Sequence, residues 1–287
     1  MNLAEIRMER SEPAALMAAA RAVGMRGQQE WLEHLAAGPD GAAIVASREG
    51  DALGFALGYR RDEAWILAHL AVREGLRGEG LGGALLAAAI APFETLSRTA
   101  IVPAGSKDAL SLVARRAMVP QGALLELAGP IPGERELAEI AAGEYRFETT
   151  PLIGKGAGPL AALNALDREI RGVVRSQDHA WFADRASGVT FALGGELVGY
   201  GYAWPDGTIG PIAATSPTYL PQMIAYMLHL ATGAHRASWA RLLVPGTCGR
   251  ALRLLLRVGL RIEEEWWWCA EAAPDLARYL AFRPEAP

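Results

Sequence analysis

Cysteine is nearly missing from this sequence: Cys248 and Cys269 are the only two in 287 residues. Two cysteines cannot make a disulfide framework, and neither stands at metal-ligand spacing from a histidine, so no metal is expected. A reducing, cytoplasmic setting follows as the expectation. Positive charge is not in excess either. With 28 Lys and Arg against 32 Asp and Glu the formal charge is -4, which gives no electrostatic reason to expect a nucleic-acid partner. Long apolar runs are also lacking. Ala84 to Ala91 and Met223 to Leu228 fall far short of the roughly 20 residues that span a bilayer, so no membrane partner is expected. The opening MNLAEIRMERSEP is charged and has no apolar stretch, which argues against a secretory signal. What the chain does have is a hydrophobic fraction of 51%, enough for packed cores, in a length that suits about two domains.

The segment Gly129-Pro130-Ile131-Pro132-Gly133, followed by Glu134-Arg135-Glu136, reads as a linker. It separates residues 1–132 from residues 140–287, and the same order of elements can be traced in both. In the first half, Ile6 to Met8 is a strand, and Glu12 to Val23 is a helix opened by Ser11. Gln28 to Leu35 is a second helix. Ala42 to Ser47 and Gly54 to Tyr59 form a hairpin through Glu49-Gly50-Asp51, and Ala64 to Val72 is a third strand. Leu81 to Ile90 is a buried helix, Thr99 to Val102 a strand, Lys107 to Arg116 a helix and Ala123 to Leu127 a closing strand. A repeat strengthens the two-domain reading. With a fixed shift of 142 residues, Val102, Pro103, Ala109, Leu110, Leu112 and Arg115 fall on Val244, Pro245, Ala251, Leu252, Leu254 and Arg257. Leu70-Ala71 falls on Ile212-Ala213 at the same shift.

The strand Ala64 to Val72 runs into Arg77-Gly78-Glu79-Gly80-Leu81-Gly82-Gly83 and then a helix. A strand, a glycine-rich turn and a helix N-terminus aim several backbone N–H groups at one point, and the helix dipole adds positive potential there. Arg77 adds a charge-assisted contact, so the loop is an anion site. Its spacing is not that of a phosphate-binding P-loop, and a dinucleotide fold's Gly-x-Gly-x-x-Gly would need a parallel βαβ start and an acidic residue about twenty positions on. The stretch from Leu70-Ala71-Val72 to Leu86 resembles motif A of the GNAT acetyltransferases, Arg/Gln-x-x-Gly-x-Gly/Ala after a strand, with Arg77, Gly80 and Gly82 in place. The resemblance implies an α/β fold with a mixed sheet, two tandem GNAT-like domains, and acetyl-CoA as acyl donor. It also implies that Arg77, Gly78, Glu79, Gly80, Leu81, Gly82 and Gly83 hold the pyrophosphate. Leu70, Ala71 and Val72 would pair with the pantetheine arm where two central strands splay.

A later family element, Asn-x-x-Ala-x-x-Leu-Tyr-x-x-x-Gly-Phe, maps onto Ser106, Ala109, Leu112, Val113, Ala117 and Met118. Ser106 joins the donor-site residues on that basis, while Val113 stands where many members carry the tyrosine that protonates the departing thiolate. The second half has no glycine loop: Thr215-Ser216-Pro217-Thr218-Tyr219-Leu220-Pro221 carries two prolines, each without an N–H. It reads as a degenerate copy. Alternation along the strand puts Trp65, Leu67 and His69 on one face, and His69 is the candidate general base, with a strand histidine satisfied by a neighbour as the plainer alternative. The polar segment Asp167 to His179 offers Arg175, Asp178 and His179 as groups that orient an acceptor, and an amphipathic helix with a solvated face as the plainer alternative. The expected activity is transfer of an acetyl group to a small-molecule or peptide amine. The open alternative is a noncatalytic CoA-binding regulatory protein of the same fold.

Overall fold

The structure, a computed structural model, describes residues 5–25, 29–152, 157–272 and 276–284. The chain divides into two compact units. Unit 1 comprises Met1–Val102, Ser106–Pro120 and Cys269–Glu271, and unit 2 comprises Pro103–Gly105, Gln121–Trp268 and Ala272–Pro287. No helix among the described residues is long and apolar enough to cross a membrane.

Unit 1 is built on five strands in the order β1 (Arg7–Arg10), β2 (Gly41–Arg48), β3 (Asp51–Arg61), β4 (Ala64–Val72) and β5 (Ser97–Pro103). The first four run antiparallel, and β5 lies parallel to β4. The β2–β3 hairpin turns at Glu49 and Gly50, both at positive φ, which matches the right-handed twist of the flanking strands. Helices α1 (Pro13–Ala22), α2 (Gln29–Ala37), α3 (Leu81–Ile90) and α4 (Lys107–Ala114) complete the unit. Helix α1 starts one residue later than the sequence suggested. Pro13 supplies its fixed φ in the first turn and Glu12 stands at the cap without a side-chain bond, while the Ser11 hydroxyl turns back to donate to Glu9 O.

Trp65 on β4 is fully buried, and its ring lies across Gly58 of β3. A Cβ built at Gly58 would come within 2.3 Å of that ring. Gly58→Val is therefore expected to destabilise unit 1 by about 1–3 kcal/mol, because a rigid indole at 0% exposure cannot move aside. Urea unfolding of the variant measures it.

In unit 2, β7 (Glu148–Leu152), β8 (Ser187–Leu193), β9 (Glu196–Ala203) and β10 (Ile209–Ala214) form an antiparallel sheet. The two-residue β13 (Tyr279–Leu280) pairs with the far edge of β10. A second group places β6 (Val119–Pro130) between β11 (Trp239–Pro245) and β12 (Arg261–Ala270). Helices α5 (Glu134–Ala141), α6 (Ala157–Arg171), α7 (Ser176–Ala183), α8 (Leu220–His235) and α9 (Gly249–Arg257) pack around these strands. The main core joins Leu127, Phe191, Met223, Met227, Leu242 and Leu255, all buried.

The Pro/Gly segment is not linker throughout. Gly129 and Pro130 are the last residues of β6, paired with Ala240 and Trp239. A Cβ at Gly129 would meet the Leu260 backbone at 3.0 Å, so this glycine serves close approach of two backbones rather than flexibility. Only residues 131–133 connect β6 to α5.

Candidate functional site

The glycine loop of unit 1 has the geometry that its composition demands. After β4 a 3₁₀ turn covers Glu74–Leu76, then Gly78 takes φ 82° and Gly80 takes φ 88° as the left-handed residue preceding α3. Side chains rarely adopt that conformation, and glycine does so at no steric cost. No side chain caps α3 at Gly80, and the first helical bond runs from Ala84 N to Gly80 O. The N–H groups of Leu81, Gly82 and Gly83 precede it and have no partner within the helix. They sit at the positive end of the helix dipole, beside exposed residues 77–80. Arg77 is also exposed, and its Nε donates to Val72 O at 3.3 Å, which holds the guanidinium stem at the end of β4.

Gly82 and Gly83 differ from the turn glycines. A Cβ at either would make ordinary contact with Leu112 of α4, at 3.6 and 3.7 Å. A side chain as small as alanine's would therefore fit at either position beneath α4. At the start of α4, Ser106 accepts a bond from Ala109 N at 3.3 Å and is the helix cap.

Strand β4 pairs with β5 only over Ala64 to Leu67. Leu70, Ala71 and Val72 pair with β3 alone among the described residues, and all three are half-buried. Between the two stretches the β3–β4 register shifts, since Leu57 faces His69 and Gly58 faces Leu67. Ala68 is thus an extra residue on β4, and strict alternation does not run through it. The face of His69 cannot be counted from Trp65. His69 stacks on Phe55 with ring centroids 5.3 Å apart, and burial lowers its pKa to about 4. It is therefore neutral at physiological pH. Val113 is buried in the core and brings no proton to this region.

Arg175, Asp178 and His179 belong to unit 2 and are all buried. Gly172, at φ 75°, breaks α6 from α7 and turns Arg175 inward. Its Nε donates to Asp167 Oδ2 at 2.8 Å and its Nη2 to Tyr200 Oη at 2.5 Å. Tyr200 in turn donates to Asp167 Oδ1. His179 Nε2 lies 3.0 Å from Asp167 Oδ2, and its Nδ1 lies 2.9 Å from Tyr202 Oη. An ionised carboxylate only accepts, so Nε2 carries the proton and Nδ1 accepts from Tyr202. Burial pushes the Asp167 carboxyl up, but the Arg175 charge and the His179 bond outweigh it and hold it well below the usual range. Burial lowers the His179 pKa against the opposing pull of Asp167.

Sequence reasoning had not singled out Asp167, Tyr200 or Tyr202. The signal was Gly199-Tyr200-Gly201-Tyr202 on β9, two tyrosines on one strand face. The first tyrosine meets an acid and a base from other elements.

Residues 5–111 match the family model described as Acetyltransferase (GNAT) family. No curated protein matches the chain. Among solved structures, a tandem GNAT protein of the clavulanic acid biosynthesis pathway is 16% identical, with 94% of this chain and 99% of that one covered and a TM-score of 0.64. A Pyrococcus horikoshii protein described as a candidate acetyltransferase is 14% identical over 97% and 94%, with a TM-score of 0.70. A GNAT protein of Sphaerobacter thermophilus is 18% identical over 96% and 98%, with a TM-score of 0.58. These likenesses give the fold of the whole chain, a mixed α/β arrangement shared with a tandem GNAT protein among others. The protein therefore carries a GNAT-family domain at residues 5–111, and members of that family are generally acyltransferases that take acetyl-CoA as substrate.

Proposed function

We propose that this chain is an N-acetyltransferase that moves the acetyl group of acetyl-CoA to the amine of a small molecule or peptide, in a reducing cytoplasm. The observation that carries the reading is the uncapped start of α3, with Gly78 and Gly80 at positive φ, next to the edge of Leu70 to Val72 against which no second strand pairs among the described residues. In this reading the pyrophosphate accepts from the N–H groups of Leu81, Gly82 and Gly83, and Arg77 adds its charge. Glu79 belongs to the turn, and Ser106 has a hydroxyl proton left after capping α4. The pantetheine arm pairs with Leu70, Ala71 and Val72. The two copies, residues 1–132 and 140–287, are the products of a duplication, and only the first retains the loop.

The chemistry is direct attack. The amine nitrogen forms a bond to the thioester carbonyl carbon, the carbon–sulfur bond breaks, and the CoA thiolate leaves and takes a proton. Two steps need proton movement. Neutral His69 can accept a hydrogen bond from the amine and orient it, but with a pKa of about 4 it is a weak base, so water takes most of the proton. Arg175, Asp178 and His179 would meet an acceptor only if the core of unit 2 opened around them.

A noncatalytic CoA-binding role is the second reading, favoured by buried Val113 and by the weak basicity of His69. A panel of amines assayed for release of free CoA thiol separates the two. Activity above the uncatalysed rate is expected for at least one amine, rising with pH as that amine deprotonates. No falling limb is expected near pH 10, because no tyrosine stands at position 113. A rate that plateaus above pH 5 would instead make His69 the controlling base.

A further inference from the structure

In unit 2 the backbone edge that corresponds to Leu70–Ala71 is not free. By the shift of 142, those residues match Ile212 and Ala213, and these pair with Leu280 and Tyr279 of β13. Strands β10 and β11 touch at their base, through the Thr208–Arg241 bridge and Arg241 N to Gly207 O, and then diverge. The C-terminal segment fills the gap between them. It takes β10 on one side, and on the other Ala281 N donates to Leu243 O at 3.1 Å. Every residue of β10 is buried, whereas Leu70 to Val72 are only half-buried. At Gly210 the approach is so close that a Cβ would lie 2.6 Å from Ala281 O.

The segment is held along its length. Arg278 pairs with Glu169 at 2.8 Å, Phe282 stacks on Trp204 at 4.3 Å, and Arg283 pairs with Asp206 at 2.6 Å. The Cys248 thiol points at the carbonyls of Leu276, Ala277 and Tyr279. Strand addition of this kind uses main-chain bonds for affinity and side-chain pockets for specificity.

We propose that unit 2 is a strand-addition receptor for an extended peptide whose resident ligand is the chain's own C-terminal segment, Leu276 to Phe282. The second cleft is closed by self-occupancy, and the chain takes one acyl donor. The comparison with unit 1 rests on the donor-site reading above, but the peptide site itself stands on the pairing within unit 2.

The test uses the full chain with Arg278→Ala and Phe282→Ala combined, and a fluorescein-labelled peptide of residues 276–284. A tethered segment competes at high effective concentration, so the peptide should bind the double variant at least about 100-fold more tightly than the unaltered chain. Hydrogen exchange should place it on Ile209 to Ala214. A variant whose Tyr279 to Ala281 amides exchange freely but which does not bind the peptide overturns the proposal, as does equal binding to both proteins. Should the variant fail to fold, the unaltered chain still decides. Cys248 borders a cavity of about 300 Å³ lined by Pro217, Leu220, Thr247, Arg250 and Ala277, so a thiol reagent can reach it once the segment lifts. Modification of Cys248 together with exchange at Ala281, while β8 and β9 stay protected, supports a bound ligand. Opening only with global unfolding overturns it. CoA protection of Leu70 to Val72 tests the donor site separately, and its absence would leave the peptide result standing.

Discussion

Gly80→Asp should abolish acetyl-CoA binding, and Arg77→Ala should weaken it by about 1.5–3 kcal/mol, roughly 10- to 150-fold. The two changes act on different terms. At Gly80 the backbone is left-handed, φ 88°, which most side chains adopt only under strain, and the carboxylate would stand where the α3 N–H groups receive an anion. At Arg77 the backbone is ordinary and extended, with φ -68° and ψ 148°, so the loss is of one charge-assisted contact with the turn intact. Gly82→Ala provides the control. Its Cβ meets only Leu112 and Val72 at 3.6 and 3.8 Å, and the helix should form normally. Calorimetric titration of the three variants should rank them Gly82→Ala, Arg77→Ala, Gly80→Asp in order of growing loss. A Gly80→Asp protein with unaltered affinity would remove the α3 N-terminus from the site.

The repeat was legible because it is written at residue resolution. The 142-residue shift carries β5, Ser97–Pro103, onto β11, Trp239–Pro245, and the first residue of α4, Lys107, onto that of α9, Gly249. The glycine loop was legible for a different reason, since positive φ at two positions within three residues leaves a composition trace. The bulge at Ala68 left none, because a register shift depends on what β3 offers opposite it. Nor could β13 be read. It is two residues long with no period to detect, and its partner Ile212–Ala213 lies more than sixty residues away. Gly129 was misread because a glycine beside prolines looks like a turn until the Leu260 backbone is seen against it. The segment Asp167 to His179 was visible as polar, but its inward direction was not. That depends on Tyr200 and Tyr202 arriving from β9.

The same network predicts where the fold is most vulnerable. Asp167 is at 0% exposure and accepts from Arg175, His179 and Tyr200 at once. Asp167→Ala leaves the Arg175 guanidinium buried without its counter-charge, and the expected loss is about 3–5 kcal/mol. Pairing that change with Arg175→Met removes the stranded charge, so the double variant should recover a large part of the loss. Acid should act through the same groups. His179 has its pKa lowered in the folded state and so stays neutral where the unfolded chain begins to protonate, near pH 6.5. Its contribution is present above that value and is lost as the pH falls through it. His69, lowered to about 4, acts with the same sign between about 6.5 and 4, at no more than about 1.4 kcal/mol per pH unit and less for its partial exposure. Asp167, held low by Arg175 and His179 against burial, adds a further loss only below about pH 4, where the unfolded carboxyl protonates first. Urea midpoints measured from pH 8 down to about 3 should therefore be level to about 6.5 and then decline. In a folded Asp167→Ala/Arg175→Met protein the decline should persist, because both histidines remain buried, but the additional drop below pH 4 should vanish. A midpoint that rises on acidification between pH 6.5 and 5 would mean that His179 is charged in the folded protein; Nε2 would still donate to Asp167, but Nδ1 would also carry a proton and donate to Tyr202, so the direction of that bond would have to be reversed.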